Sequence, residues 1–204
     1  HAVAPNRILR EANWLTCRRE RGRDLLDPMG SRGFAVADHP IAHVYLQEPG
    51  DLDAARSLFE NQPGIAEVLH GPGLEATGLA HPRTGDLVLV SEPDRWFIWD
   101  YWSDEATAPD FAKTVDIHRK PGYDPRELRL APGLPGSRLR LATKLLRRAV
   151  GQRTLLDVIS LDTTRVGGSH GRCDASGYGV LMMPSHHPDL DAVVPCTAVR
   201  DLVL

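Results

Sequence analysis

Between Phe34 and Leu69 the chain reads as strand, strand, helix and strand within about 35 residues, and that order limits the fold more than any other feature. Phe34-Ala35-Val36-Ala37 and Ile41-Ala42-His43-Val44-Tyr45-Leu46 are short apolar runs of strand length. Asp51 to Glu60 predicts a helix. Its acids fall in the first turn, where they complement the helix dipole, and Leu52, Ala55, Leu58 and Phe59 share one face. Pro63-Gly64 ends that helix, and Ile65 to Leu69 predicts the next strand. A further strand, Asp86 to Ser91, follows the turn Arg83-Thr84-Gly85. Strands alternating with a helix on this scale predict an α/β fold.

Outside that unit the signals are more varied. Pro5 to Leu15 predicts a helix with proline near its first turn. Arg18 to Arg23 and Asp27-Pro28-Met29-Gly30 read as polar, turn-rich connections. Trp96, Phe97, Trp99, Tyr101 and Trp102 form an aromatic cluster suited to core packing. Asp116 to Pro125 carries too many breakers for a regular element. From Arg126 to Arg153 there are eight Lys or Arg against one acid, Glu127. Within that stretch Leu141, Ala142, Leu145, Leu146, Ala149 and Val150 recur at helical spacing. A helix of this kind is read as a surface helix with a solvated charged face, or as a weak contact with an anionic surface.

Composition excludes several classes. With 42% hydrophobic and 25% charged residues the chain is an ordinary globular sequence. A net charge of −3 argues against a nucleic-acid partner bound through overall basic character. No run approaches the ~18 apolar residues of a transmembrane helix. Cys17, Cys173 and Cys196 are odd in number and widely spaced, which predicts free thiols in a reducing, cytoplasmic setting. The first five residues lack the basic and apolar regions of a secretory signal. The chain opens without Met and closes on an apolar-periodic segment, Val199 to Leu204, so the expectation is a piece of a longer protein.

For chemistry, the leading candidate is His170, set among glycines in Gly167-Gly168-Ser169-His170-Gly171-Arg172. Flanking glycines free the backbone and leave an imidazole clear of neighbouring bulk, as a metal ligand requires. A catalytic zinc needs three protein ligands, so His170 alone is not a site. Asp116 and His118 are spaced to act as a ligand or orienting pair, and with Arg119 and Lys120 they read equally as an anion-binding loop. His39 and His43 are assigned structural roles, and His186-His187 an exposed loop. The chain has no G-x-S-x-G elbow, Walker-A loop or H-E-x-x-H helix.

Taken in order, the Pro5–Leu15 helix, the Phe34–Leu46 strands, the Asp51–Leu69 helix and strand, Thr84 to Val90 and the late Gly168-Ser169-His170-Gly171 resemble the C-terminal part of alkaline-phosphatase-superfamily enzymes. The most similar branch is the type I phosphodiesterases/nucleotide pyrophosphatases, with phosphonoacetate hydrolases also similar. Val115 to Pro125 also resembles a bacterial subgroup of that superfamily, and the resemblance extends over nearly the whole chain. It implies the C-terminal portion of an alkaline-phosphatase-like α/β/α fold with a small, ferredoxin-like α/β cap. The implied division is a core helix and connection (1–33), the cap (34–92), aromatic and polar loops with the basic helix (93–153), and a return to the core (154–204). It further implies a hydrolase with two divalent metal ions, most often zinc, a Thr or Ser nucleophile and a small phosphorylated substrate. His170 maps onto the His of the family's late S-H-G or T-H-G motif. The nucleophile, the first Asp ligand and both Asp/His pairs precede the region resembled, so no catalytic nucleophile is expected within this chain. Diester, pyrophosphate, monoester and phosphonate substrates all stay open. The rival expectation is a non-catalytic, ferredoxin-like regulatory or ligand-binding module without metal.

Overall fold

The computed structural model describes residues 1–114, 119–131, 137–167, 170–172, 179–183 and 193–203. The chain begins with β1 (Ala2–Val3) and α1 (Pro5–Glu11), then β2 (Thr16–Glu20), β3 (Arg23–Asp27), β4 (Gly33–Asp38) and β5 (Ile41–Leu46). Next come α2 (Leu52–Phe59), β6 (Ile65–Leu69), α3 (Pro72–Ala76), β7 (Leu87–Ser91) and β8 (Trp96–Phe97). β9 (Gly122–Tyr123), α4 (Ser137–Ala149) and α5 (Val199–Val203) follow among the described residues, with short 3-10 turns between elements.

The central sheet has five strands in the order β6-β7-β5-β4-β9. β4 and β5 form an antiparallel hairpin, β7 runs antiparallel to both β5 and β6, and β9 joins β4 in parallel. β5, α2 and β6 therefore make a crossover with β7 inserted between its two strands, a split β-α-β arrangement. Ala35 faces Val44, Ala37 faces Ala42, and Ala42 and Val44 face Leu89 and Leu87. All six are fully buried, so one face of the sheet is core. Leu9 from α1, Ala55 and Phe59 from α2, and Trp99, Tyr101 and Trp102 close the same hydrophobic cluster. The opposite face is partly open, where Phe34 and Tyr45 stack with ring centroids 5.6 Å apart. The aromatic cluster is core, as expected.

Three elements differ from the sequence reading, one of them β9, a strand that pairs with β4 inside the 116–125 stretch read as holding no regular element. The first helix stops at Glu11 rather than running to Leu15. Asn13 takes a left-handed φ of 60°, and the Trp14 and Asn13 amides turn back to the Leu9 and Arg10 carbonyls, which is a Schellman stop. The supposed connection Arg18–Arg23 is a hairpin. β2 and β3 pair in full register around Arg21-Gly22, whose φ values of 49° and 77° suit the tight turn that matches strand twist. β2 is exposed along almost its whole length, so no apolar alternation marks it.

α1 is tied to the sheet by one buried side chain. The β4–β9 pairing reaches only Ala37 and Asp38, which leaves the β9-facing edge of β4 open at Ala35. Asn6 fills it: its amide donates to the Ala35 carbonyl at 2.8 Å and its carbonyl accepts from the Ala35 N–H at 2.7 Å. A side-chain amide here substitutes for a missing strand.

Candidate functional site

The β4–β5 turn is His39-Pro40. Asp38 pairs with Ile41 across it, and His39 sits at a φ of 54°. Proline fixes the second turn position, so the first must take positive φ, where glycine is usual. A histidine there costs about 1 kcal/mol of backbone strain. In this conformation the His39 ring lies buried at the sheet end.

Two rings flank it. Tyr123, from β9, stacks with it at a centroid distance of 5.5 Å, and His170 lies 4.0 Å away. Burial and the neighbouring His170 hold the His39 pKa below its ordinary value, against the pull of Asp38 and Asp124. His39 is therefore a neutral imidazole at pH 7. His170 is exposed. Its backbone is fixed from behind: Gly171 has a φ of 116° against Pro40, and the Arg172 guanidinium donates to the Ser91 carbonyl at the end of β7. The late glycine-rich segment thus closes onto the hairpin turn.

β9 reaches this point only because Gly122 has no side chain. Its φ is 123°, and a Cβ would lie 1.9 Å from the Ala37 carbonyl oxygen. Directly after β9 comes a buried ionic knot. The Arg126 guanidinium contacts Asp100 Oδ1 at 2.5 Å and Asp124 Oδ2 at 2.5 Å, and donates to the Leu161 carbonyl at 3.0 Å. Asp124 also accepts from the Arg126 backbone N–H at 2.8 Å, capping the 3-10 turn that follows. Burial pushes Asp100 up from the ordinary carboxylate range, and Arg126 pulls it back. Burial works against the Arg126 charge, and the two carboxylates outweigh it, so Arg126 is held firmly charged. The knot joins residues 100, 124 and 161 behind the histidine pair.

The other predicted site residues fall differently. Asp116 and His118 lie outside the described residues. Arg119 is exposed. Lys120 is buried, with Nζ on the Thr114 carbonyl and on Glu127 Oε1, both at 2.5 Å, and 5.4 Å from the Trp99 ring centroid. An anion would have to displace Glu127 to reach it. His43 is on β5, where its Nδ1 accepts from the Gly85 N–H at 3.2 Å, apart from His39. His186 and His187 lie outside the described residues. Among the described residues no group of three or more His, Cys, Asp or Glu side chains is gathered to hold a metal ion. An exposed imidazole over a neutral one fits one corner of a zinc site and falls short of the three protein ligands such a site needs.

Sequence reasoning missed His39 as the partner of His170. The available signal was the His-Pro pair between two strands, which marks a hairpin turn with positive φ before the proline. It also missed the Asp100–Arg126–Asp124 knot, whose members are distant in sequence.

Comparison with known proteins agrees with this α/β architecture and puts the chain in the class of alkaline-phosphatase-like phosphoester hydrolases. Within that class, residues 1–124 match the type I phosphodiesterase / nucleotide pyrophosphatase family, and the chain belongs to it. The match ends at Asp124, short of the nearly complete coverage expected from the sequence, and His170 lies beyond it. No curated protein and no solved structure matches the chain.

Proposed function

We propose that this chain is part of a metal-dependent phosphodiesterase or nucleotide pyrophosphatase, acting on a small phosphorylated substrate, in which His170 supplies one ligand to a divalent metal, zinc by preference. The observation that carries the reading is the family match over residues 1–124. The 4.0 Å approach of His170 to the turn of the matched segment supports extending the site to it. The family's Thr or Ser nucleophile and its paired Asp/His ligands belong to segments that precede this one in family order, and we assign them there. The division of the chain into core, cap (34–92) and returning core (154–204) is proposed on the same resemblance, with β9 bridging to the cap sheet from outside it.

When bound, paired metals polarise a phosphoryl oxygen and activate the nucleophile. The described residues contribute position. His39, buried and neutral, packs against one face of the His170 ring and limits its rotation. Tyr123 supports His39 from β9, and the Arg126 knot keeps β9 and the loop after it in place. Asp116, His118 and Arg119 are proposed as a loop that orients a metal ligand through hydrogen bonds or binds an anion. The half-buried Cys17 and exposed Cys196 are free thiols, in keeping with a proposed cytoplasmic location. Among the described residues no helix is long and apolar enough to cross a membrane.

The test uses the complete polypeptide that carries this sequence. His170→Ala should lower zinc content and bis-p-nitrophenyl phosphate turnover together, beyond the ~10–100-fold that loss of a ligand's outer partner costs. Unchanged zinc and unchanged turnover would remove His170 from the site.

A further inference from the structure

α4 is mounted with its apolar side outward. Lys144 contacts Asp157 Oδ1 at 2.6 Å and donates to the Leu155 carbonyl at 2.9 Å, while Thr154 Oγ1 donates to the Lys144 carbonyl. Those contacts fix the helix to the body along its Lys144 side, where Leu141 and Lys144 are half-buried. The stripe of Leu139, Ala142, Leu145, Leu146, Ala149 and Val150 therefore faces away. Leu139, Leu146 and Val150 are 68%, 66% and 67% exposed. Arg147 and Arg148 flank that stripe on either side, and both are exposed. A surface helix ordinarily does the reverse, burying its leucines and solvating its charges.

We propose that α4 is an interfacial helix that docks the protein on an anionic lipid bilayer, with its leucine stripe among the acyl chains and its arginines on lipid phosphates. Three observations select this occupant. Residues 137–153 hold six Lys or Arg and no Asp or Glu, in a chain whose net charge is −3, so the complementary surface is anionic. A second copy docking through the same stripe would bring two such cationic helices together, which repels. The body meets α4 only along its Leu141 and Lys144 side, which leaves the whole leucine stripe free to lie on one flat surface. A nucleic acid would use the arginines and leave the leucines in water. The helix is about 20 Å long. Lying flat, it buries its apolar side while the long Arg stems reach back to the headgroups. The inference is independent of the catalytic reading.

The experiment is vesicle co-sedimentation of the complete polypeptide that carries this sequence. Vesicles of phosphatidylcholine alone are compared with vesicles containing phosphatidylserine, at low and high salt. Binding is expected on the anionic vesicles and reduced at least fivefold by high salt or by omission of phosphatidylserine. Leu145→Glu with Leu146→Glu, and separately Arg147→Glu with Arg148→Glu, should each lower partition about tenfold or more. Both pairs are exposed, so circular dichroism and denaturation midpoints should match the unaltered chain. Absence of binding, equal binding to neutral vesicles, or binding retained by both variants overturns the proposal. So does a solution dimer that the leucine pair abolishes, or preference for duplex DNA over vesicles.

Discussion

At the scale of single residues the structure is governed by buried charges that satisfy one another. Arg126 carries the clearest case, because one guanidinium meets Asp100, Asp124 and the Leu161 carbonyl with almost no water in reach. Removing the cation leaves two carboxylates buried without a partner, and breaking a buried pair from one side is far costlier than the pair is stabilising. Arg126→Leu should lose about 3–5 kcal/mol by denaturant unfolding at pH 7. The pH dependence fixes the cause. Burial already raises Asp100, and without Arg126 its folded-state pKa lies further above the unfolded value. A carboxyl raised in the folded state binds its proton more tightly there, so stability is present at low pH and lost as pH rises through the folded value. The deficit of Arg126→Leu should therefore shrink from pH 7 toward pH 4. A deficit independent of pH would mean that lost packing, not stranded charge, is responsible.

At the scale of elements, what the sequence made legible follows from where each element's partners come from. α2, β4, β5, β6 and β7 were all readable, because the apolar residues of α2 recur at helical spacing and the strands are short apolar runs bounded by turn residues. β2 and β3 were not, since β2 is exposed along almost its whole length and the buried position of β3 is Asp24, so no apolar alternation marks the hairpin and only Arg21-Gly22 signals it. α4 was readable as a helix, yet its orientation was not. The side that meets the body is set by Asp157 and Leu155, which no local pattern announces. The site divides in the same way. Glycines nominated His170, whereas its approach to His39 depends on chain segments far apart in sequence. Asn6 shows how one side chain can decide whether an element docks. Asn6→Ala would strand the N–H and C=O of Ala35 inside the protein, each worth about 1–3 kcal/mol unpaired. We expect a loss of about 2–4 kcal/mol, with the Ala35 amide exchanging its hydrogen far faster than the neighbouring β4 amides bonded to β5. Unchanged protection at Ala35 would show that another group takes over the edge.

For the molecule as a whole, the question is whether the described residues can do chemistry without further ligands. They provide a rigid hairpin turn, a neutral imidazole behind an exposed one, and an ionic knot that fixes the strand beneath. Under the proposed function, that is a frame for one metal ligand. Zinc held by a single imidazole, or by two whose rings face each other, lacks the tetrahedral donor set from which catalytic sites draw their affinity. Affinity and activity should then fail together in the isolated chain, because both require further donors that the described residues do not gather. We expect the 204-residue chain, saturated with zinc, to bind the metal weakly and to leave bis-p-nitrophenyl phosphate intact. The weak binding that is present should disappear in His170→Ala. Turnover above the zinc-only rate would mean that this chain holds a complete site, and the place to look for its remaining donors would be Asp116, His118 and the loop they share.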